Sequence, residues 1–256
     1  MWNNVRYIFL TAQRDSLFFA LAIGILLSCY FAFFISDAAI DENQQMAMVY
    51  AAGLSRVILV LGLIIFISFH IRRSFENREI DLMIVRPISR QKFILSFWLG
   101  YSVLALFLVL FTTLTVYLFS VQMYEVKGVG SQQGFLIWAG SLYLETLIVA
   151  ALTIAASLIL KSNVLAVMSC LGFYVLSRMA GFVLLIATKP GNDSVFHKSF
   201  FAISSLVPRF DFFGKTEWLL YNVRSMNEVY LFIMQAAVYG LLLLTISIID
   251  FKRKEF

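Results

Sequence analysis

Residues 16–36, SLFFALAIGILLSCYFAFFIS, carry no charged side chain. A helix rises ~1.5 Å per residue and a bilayer's hydrocarbon core is ~30 Å thick, so about 20 such residues span it. No soluble fold of ordinary size accommodates many helices that are apolar on every side. The run recurs. Further apolar stretches fall at about 57–71, 93–119, 135–160, 164–187 and 229–249. The whole chain of 256 residues is 61% apolar and 14% charged, with mean hydropathy +0.86. A soluble domain carries about 25% charge. The fold class read from this is an all-α integral membrane protein with six transmembrane helices, forming a single transmembrane domain over 1–256.

The segments between the runs supply the rest of the topology. In residues 1–15, Trp2, Val5, Phe9 and Ala12 have helical spacing. An interfacial helix is expected there, and no cleavable signal peptide. Asp41 with Gln44 and Ser225 with Glu228 have the spacing of capping boxes. Lys161-Ser162-Asn163 reads as a tight turn that makes the fourth and fifth spans an antiparallel hairpin. Residues 188–228 hold Pro190, Pro208 and many aromatics, among them Phe210, Phe212, Phe213 and Trp218. They are too apolar for a free loop. Short helices dipping into the outer leaflet, a re-entrant or interfacial segment before span six, are expected.

Sidedness follows from Lys and Arg. Segments on the side of the termini hold twelve: two before residue 16, six in 72–92, Lys161, and three at the end. The other side holds Arg56, Lys127 and five in the long last loop, which discriminates weakly. Both termini and the 72–93 loop are therefore expected in the cytoplasm. The net charge of +5 reports topology and is no sign of nucleic-acid binding.

Cys29 and Cys170 stand within apolar runs and read as small core residues. His70 and His197 have no ligand cluster in the sequence, so no metal is expected. Gly214-Lys215-Thr216 fails the phosphate-loop pattern, because position 209 is Arg where Gly is needed. Two charges fall within spans, Glu145 and Arg178. Each lies about 16–17 residues from the centre of the 161–163 turn, which puts both at one depth in a hairpin. They are expected to form an intramembrane ion pair that holds the hairpin together, with a part in a substrate path as the other reading.

The longest polar interruption in the first half is 72–93, RRSFENREIDLMIVRPISRQKF. It begins with Glu76, Arg78, Glu79 and Asp81, continues with apolar Leu82, Met83, Ile84 and Val85, and closes on Pro87, Ser89 and Arg90. This order resembles the first cytoplasmic loop of permeases of the second type of ATP-binding-cassette (ABC) exporter. The likeness extends to six spans, with the loop between the second and third, and to Val207-Pro208-Arg209-Phe210-Asp211. By pattern the chain is similar to the stand-alone permeases grouped with copper-enzyme maturation exporters. It is specific in sequence only over about 72–92.

The resemblance implies a bacterial plasma (inner) membrane permease exporting an unidentified substrate. A separate cytosolic ABC-type ATPase would dock on the loop as a coupling helix. Leu82–Val85 would supply the apolar contact. Glu76, Glu79, Asp81 and Arg78 would form the polar rim, Pro87 and Ser89 would fix the angle into the third span, and Arg90 would complete the ATPase-coupling set. ATP and Mg would belong to that partner, and the chain itself would bind no cofactor and be no enzyme. Six spans would be half of a pathway, completed by a second permease copy in a homodimer or a pseudo-symmetric heterodimer, surrounded by membrane lipids. The alternatives are an ATP-independent six-span transporter, a structural membrane partner subunit, or a membrane enzyme, for which an acidic or His cluster is missing from the sequence.

Overall fold

A computed structural model describes residues 2–36, 43–77, 90–123, 132–187, 207–221 and 226–253. Among these residues there are no strands. Six helices are long and apolar enough to cross a membrane, and the chain is a multi-pass membrane protein. Its helices in order are α1 (Trp2–Arg14), α2 (Ser16–Ser36), α3 (Asn43–Glu76), α4 (Arg90–Met123), α5 (Gln132–Ile159) and α6 (Asn163–Ala187). A 3₁₀ turn at Phe210–Phe212, the short α7 (Glu217–Tyr221) and α8 (Met226–Arg253) follow.

The helix α5 is the axis of the bundle. It touches α3, α4, α6, α7 and α8. Its sequence explains this position: Trp138, Leu142, Ile148, Val149 and Ile154 bury every face in turn, and its polar Ser141, Glu145, Thr146 and Thr153 are buried too. A helix apolar all round belongs inside a bundle. By contrast α2, α6 and α8 bury only about a third of their apolar windows or less, at 28%, 33% and 28%. Their outer faces, with Phe34, Leu176 and Leu241 exposed, are where lipid covers the protein.

Lipid supplies no hydrophobic drive for helices to associate, so close contact and polar bridges must hold them. The α2–α3 pair has both. A Cβ on Gly62 would fall 1.9 Å from Leu21 Cδ2, and one on Gly24 would meet Ile58 at 3.2 Å. Between these contacts and the helix ends, the Ser28 and Ser55 hydroxyls bond at 2.7 Å. The helix α1 buries Val5, Ile8 and Ala12 and packs on α4, with Ile8 against Gly100 and Phe9 against Phe107 at 5.1 Å between ring centroids. The chain turns at Asp15, whose carboxylate accepts the Leu17 amide (3.0 Å) and so caps α2.

The helices outrun the apolar runs. The span at 57–71 lies within a helix of 34 residues, and the span at 93–119 within another of 34. Arg56 is the main correction. Counted above as an outer-loop charge, it lies inside α3 and is only 9% exposed. The residues before it, Gln44 to Ser55, continue the helix because Ala47, Met48, Ala51 and Ala52 bury a second apolar face. The turn between α5 and α6 occupies 160–162, with the Ala166 amide on the Ser162 carbonyl (3.0 Å) and the Ser68 hydroxyl on Asn163 Oδ1.

Candidate functional site

Towards the end of the bundle away from the 160–162 turn, four elements converge on one set of charges, of which Glu145 and Arg56 are buried and Arg178 is partly so. Glu145 comes from α5, Arg178 and Tyr174 from α6, Arg56 from α3, and the turn 210–214 fills the space between them. Glu145 is fully buried. Its Oε1 lies 3.7 Å from Arg178 Nη1 and accepts the Tyr174 hydroxyl at 2.8 Å. Counting residues from the hairpin turn therefore puts this pair at the right depth. It could not reveal Tyr174, which stands one helical turn from Arg178 and supplies the carboxylate's hydrogen bond.

Nor could counting reveal Arg56 as the third charge. Its guanidinium reaches the same Phe213 carbonyl that Arg178 holds. Arg56 Nη1 donates to the carbonyls of Gly214 and, at 3.4 Å, Phe213. Arg178 Nη1 donates to the carbonyls of Phe210 and, at 2.8 Å, Phe213. The two arginines thus hold one turn from two sides. The Gly214 amide completes the hold by donating to the Ser141 hydroxyl on α5 at 3.0 Å.

The chemistry of the turn accounts for the arrangement. The Phe210 carbonyl takes the Phe213 amide within the 3₁₀ turn (3.1 Å), but chain leaving a helical turn, here at Phe213 and Gly214, has carbonyls that need partners from elsewhere, and at membrane depth water does not supply them. Guanidinium donors do. Two positive charges then need a counter-charge, and Glu145, 3.7 Å from Arg178, is the one carboxylate paired within the cluster. The cluster keeps an excess positive charge, offset by carbonyl dipoles. Gly214 is required twice over: its φ is +56°, and a Cβ there would come within 2.7 Å of Arg56 Nη1.

The aromatic residues of 207–221 seat the turn. Phe210, Phe213, Trp218 and Leu219 are buried, with Phe210 against Tyr174 and Phe213 and Trp218 against Phe232 of α8. Arg209 pairs with Asp211 at 2.8 Å and covers the Phe212 ring at 4.1 Å. Asp211 in turn sits so close to Gly181 of α6 that a Cβ there would be 2.3 Å from Oδ2. Lys215 pairs with Glu228 at the start of α8 (2.9 Å). The segment is a packed cap on the bundle, and the Pro-Arg-Phe-Asp element lies within it.

A model of the family described as "Protein of unknown function (DUF2705)" matches residues 8–256. The chain belongs to this family. No match is found among curated proteins. In this DUF2705 protein the matched range takes in Arg56, Glu145, Tyr174, Arg178 and the 207–221 cap, as well as the 72–93 loop.

Of the loop residues, Glu79, Asp81, Leu82, Met83, Ile84, Val85, Pro87 and Ser89 lie outside the described residues. Glu76 ends α3, is exposed, and pairs with Arg72 at 3.1 Å. Arg90 begins α4. The helix ends that carry the loop meet directly: Ile71, Phe75, Phe93, Ile94 and Phe97 surround one small gap above Ile154 and Leu158 of α5. Phe93 also stacks on Phe251 of α8 at 5.4 Å. His70 is buried nearby, bonded to the Tyr101 hydroxyl at 2.8 Å among the rings of Tyr7, Phe66 and Phe97. Among the described residues no group of three or more His, Cys, Asp or Glu is placed to hold a metal ion.

Proposed function

We propose that the chain is the transmembrane subunit of an ABC exporter of the bacterial plasma membrane, driven by a separate cytosolic ATPase. The observation that carries this reading is the 72–93 loop, where acids, then Leu82–Val85, then Pro87-Ile88-Ser89-Arg90 stand between the second and third of six spans. The joint beneath it is consistent with such a role. The ends of α3 and α4 are packed on each other and on α5 through Phe75, Phe93 and Phe97. A push on the loop would reach the axis of the bundle through rigid aromatic contacts. ATP and Mg would be held by the partner, and a second copy of the permease would complete the pathway.

In this reading the arginine–glutamate cluster is a fixed anchor at the far end. It ties the 207–221 cap to α3, α5 and α6, so helices pushed from below move against a cap that stays attached. The bonds of both arginines go to carbonyls of the cap. That favours a structural part for Glu145 and Arg178 over a part in a substrate path.

Met83→Arg tests the loop. It places a charge in the expected apolar contact. Loss of ATPase association with normal membrane insertion is the expected result. Normal association with the ATPase would contradict the reading.

A further inference from the structure

At the end of the bundle opposite the charge cluster, the 160–162 turn, the end of α3 and the Asp15 corner surround an open cleft of about 780 Å³. Arg72, Arg73, Lys161 and Glu76 stand on its rim, with Phe69 and Leu17 among the apolar lining. A second cleft of about 620 Å³ adjoins it along α1, sharing Arg73 and adding Arg14 and Leu10. Four cations face two acids here. Glu76 is taken by Arg72 at 3.1 Å, and Asp15 accepts the Leu17 amide. Among the described residues, Arg14, Arg73 and Lys161 make no ion pair. Phe69 and Leu10 are 57% and 43% exposed beside them.

We infer that this cleft binds the headgroup of an anionic phospholipid, with the phosphate against Arg73 and Lys161 and acyl chain over Phe69 and Leu10. Position supports this. The clefts lie where the apolar stretches of α2, α3 and α5 end, which is headgroup depth, and basic pockets between membrane helices at that depth recognise anionic headgroups. The exposed apolar side chains favour a lipid over a soluble phosphate, which has no use for them. The inference needs only the multi-pass bundle and stands whether or not an ATPase docks on the loop.

The test uses the full chain, purified and delipidated in detergent micelles, with thermal unfolding followed during titration. The three probes are phosphatidylglycerol, phosphatidylcholine with the same acyl chains, and inorganic phosphate. Phosphatidylglycerol should raise the unfolding midpoint, and the other two should not. In Arg73→Gln/Lys161→Gln the apparent affinity for phosphatidylglycerol should fall about thirty-fold, from two headgroup cations of equal weight. The midpoint in phosphatidylcholine should stay as in the wild type, and Arg73→Lys/Lys161→Arg should retain binding. Should the double Gln variant fold poorly, Lys161→Gln alone, on the exposed turn, should lose about five-fold. Equal shifts from both lipids, or undiminished phosphatidylglycerol binding by the Gln variants, would overturn the site. An equal shift from inorganic phosphate would overturn its assignment to lipid.

Discussion

Glu145 is the residue on which the charges of the bundle balance. Replacing it with Ala leaves the cluster's two guanidiniums, Arg56 buried and Arg178 a quarter exposed, with no carboxylate, a change at the lower end of the about 3–5 kcal/mol that breaking a buried pair costs. Glu145→Ala/Arg178→Ala removes one of those charges as well and should give more folded protein than Glu145→Ala alone. The fraction eluting as a monodisperse species in detergent measures this, and equal yields would refute the pairing. Tyr174→Phe takes away the carboxylate's hydrogen bond at 2.8 Å and should lower stability by about 1.5–3 kcal/mol, read as a fall in the unfolding midpoint. Gly214→Ala forces a left-handed backbone on a residue with a Cβ and pushes Arg56 from its carbonyls. A loss of about 1–2 kcal/mol from the backbone alone is expected, and more if Arg56 is displaced.

Elements are held by contacts that only small residues permit. Gly62→Ala puts a methyl group where Leu21 now sits, and overpacking of this kind costs about 1–3 kcal/mol. Leu21→Ala in the same chain should recover part of that loss, because it clears the space. A double variant no more stable than Gly62→Ala would mean that α2 and α3 do not meet there.

The six helices were legible in the sequence because length and apolarity are local properties. The depth of Glu145 and Arg178 was legible because a short turn fixes the register of two helices. Arg56 was not legible. It stands where polar residues give way to an apolar run, which reads as a loop boundary, and its partners Phe213 and Gly214 lie more than 150 positions along the chain. Only tertiary packing brings that turn to α3. The aromatic content of 207–221 did point to a buried segment, but which rings meet which helix depends on the same packing.

At the scale of the whole molecule, six spans would put both termini on one side, and the proposal from the Lys and Arg distribution is that this side is the cytoplasm. Single cysteines introduced at the two termini should therefore both be protected from a membrane-impermeant thiol reagent in intact cells. Labelling of either terminus would require a different topology. The central claim is that this bundle borrows its energy through the 72–93 loop. Affinity purification of the tagged full chain in mild detergent, followed by mass spectrometry of what comes with it, tests that claim most directly. A phosphate-loop ATPase should co-purify with the wild type and be lost with Met83→Arg. A wild-type preparation that contains no ATPase would contradict the account.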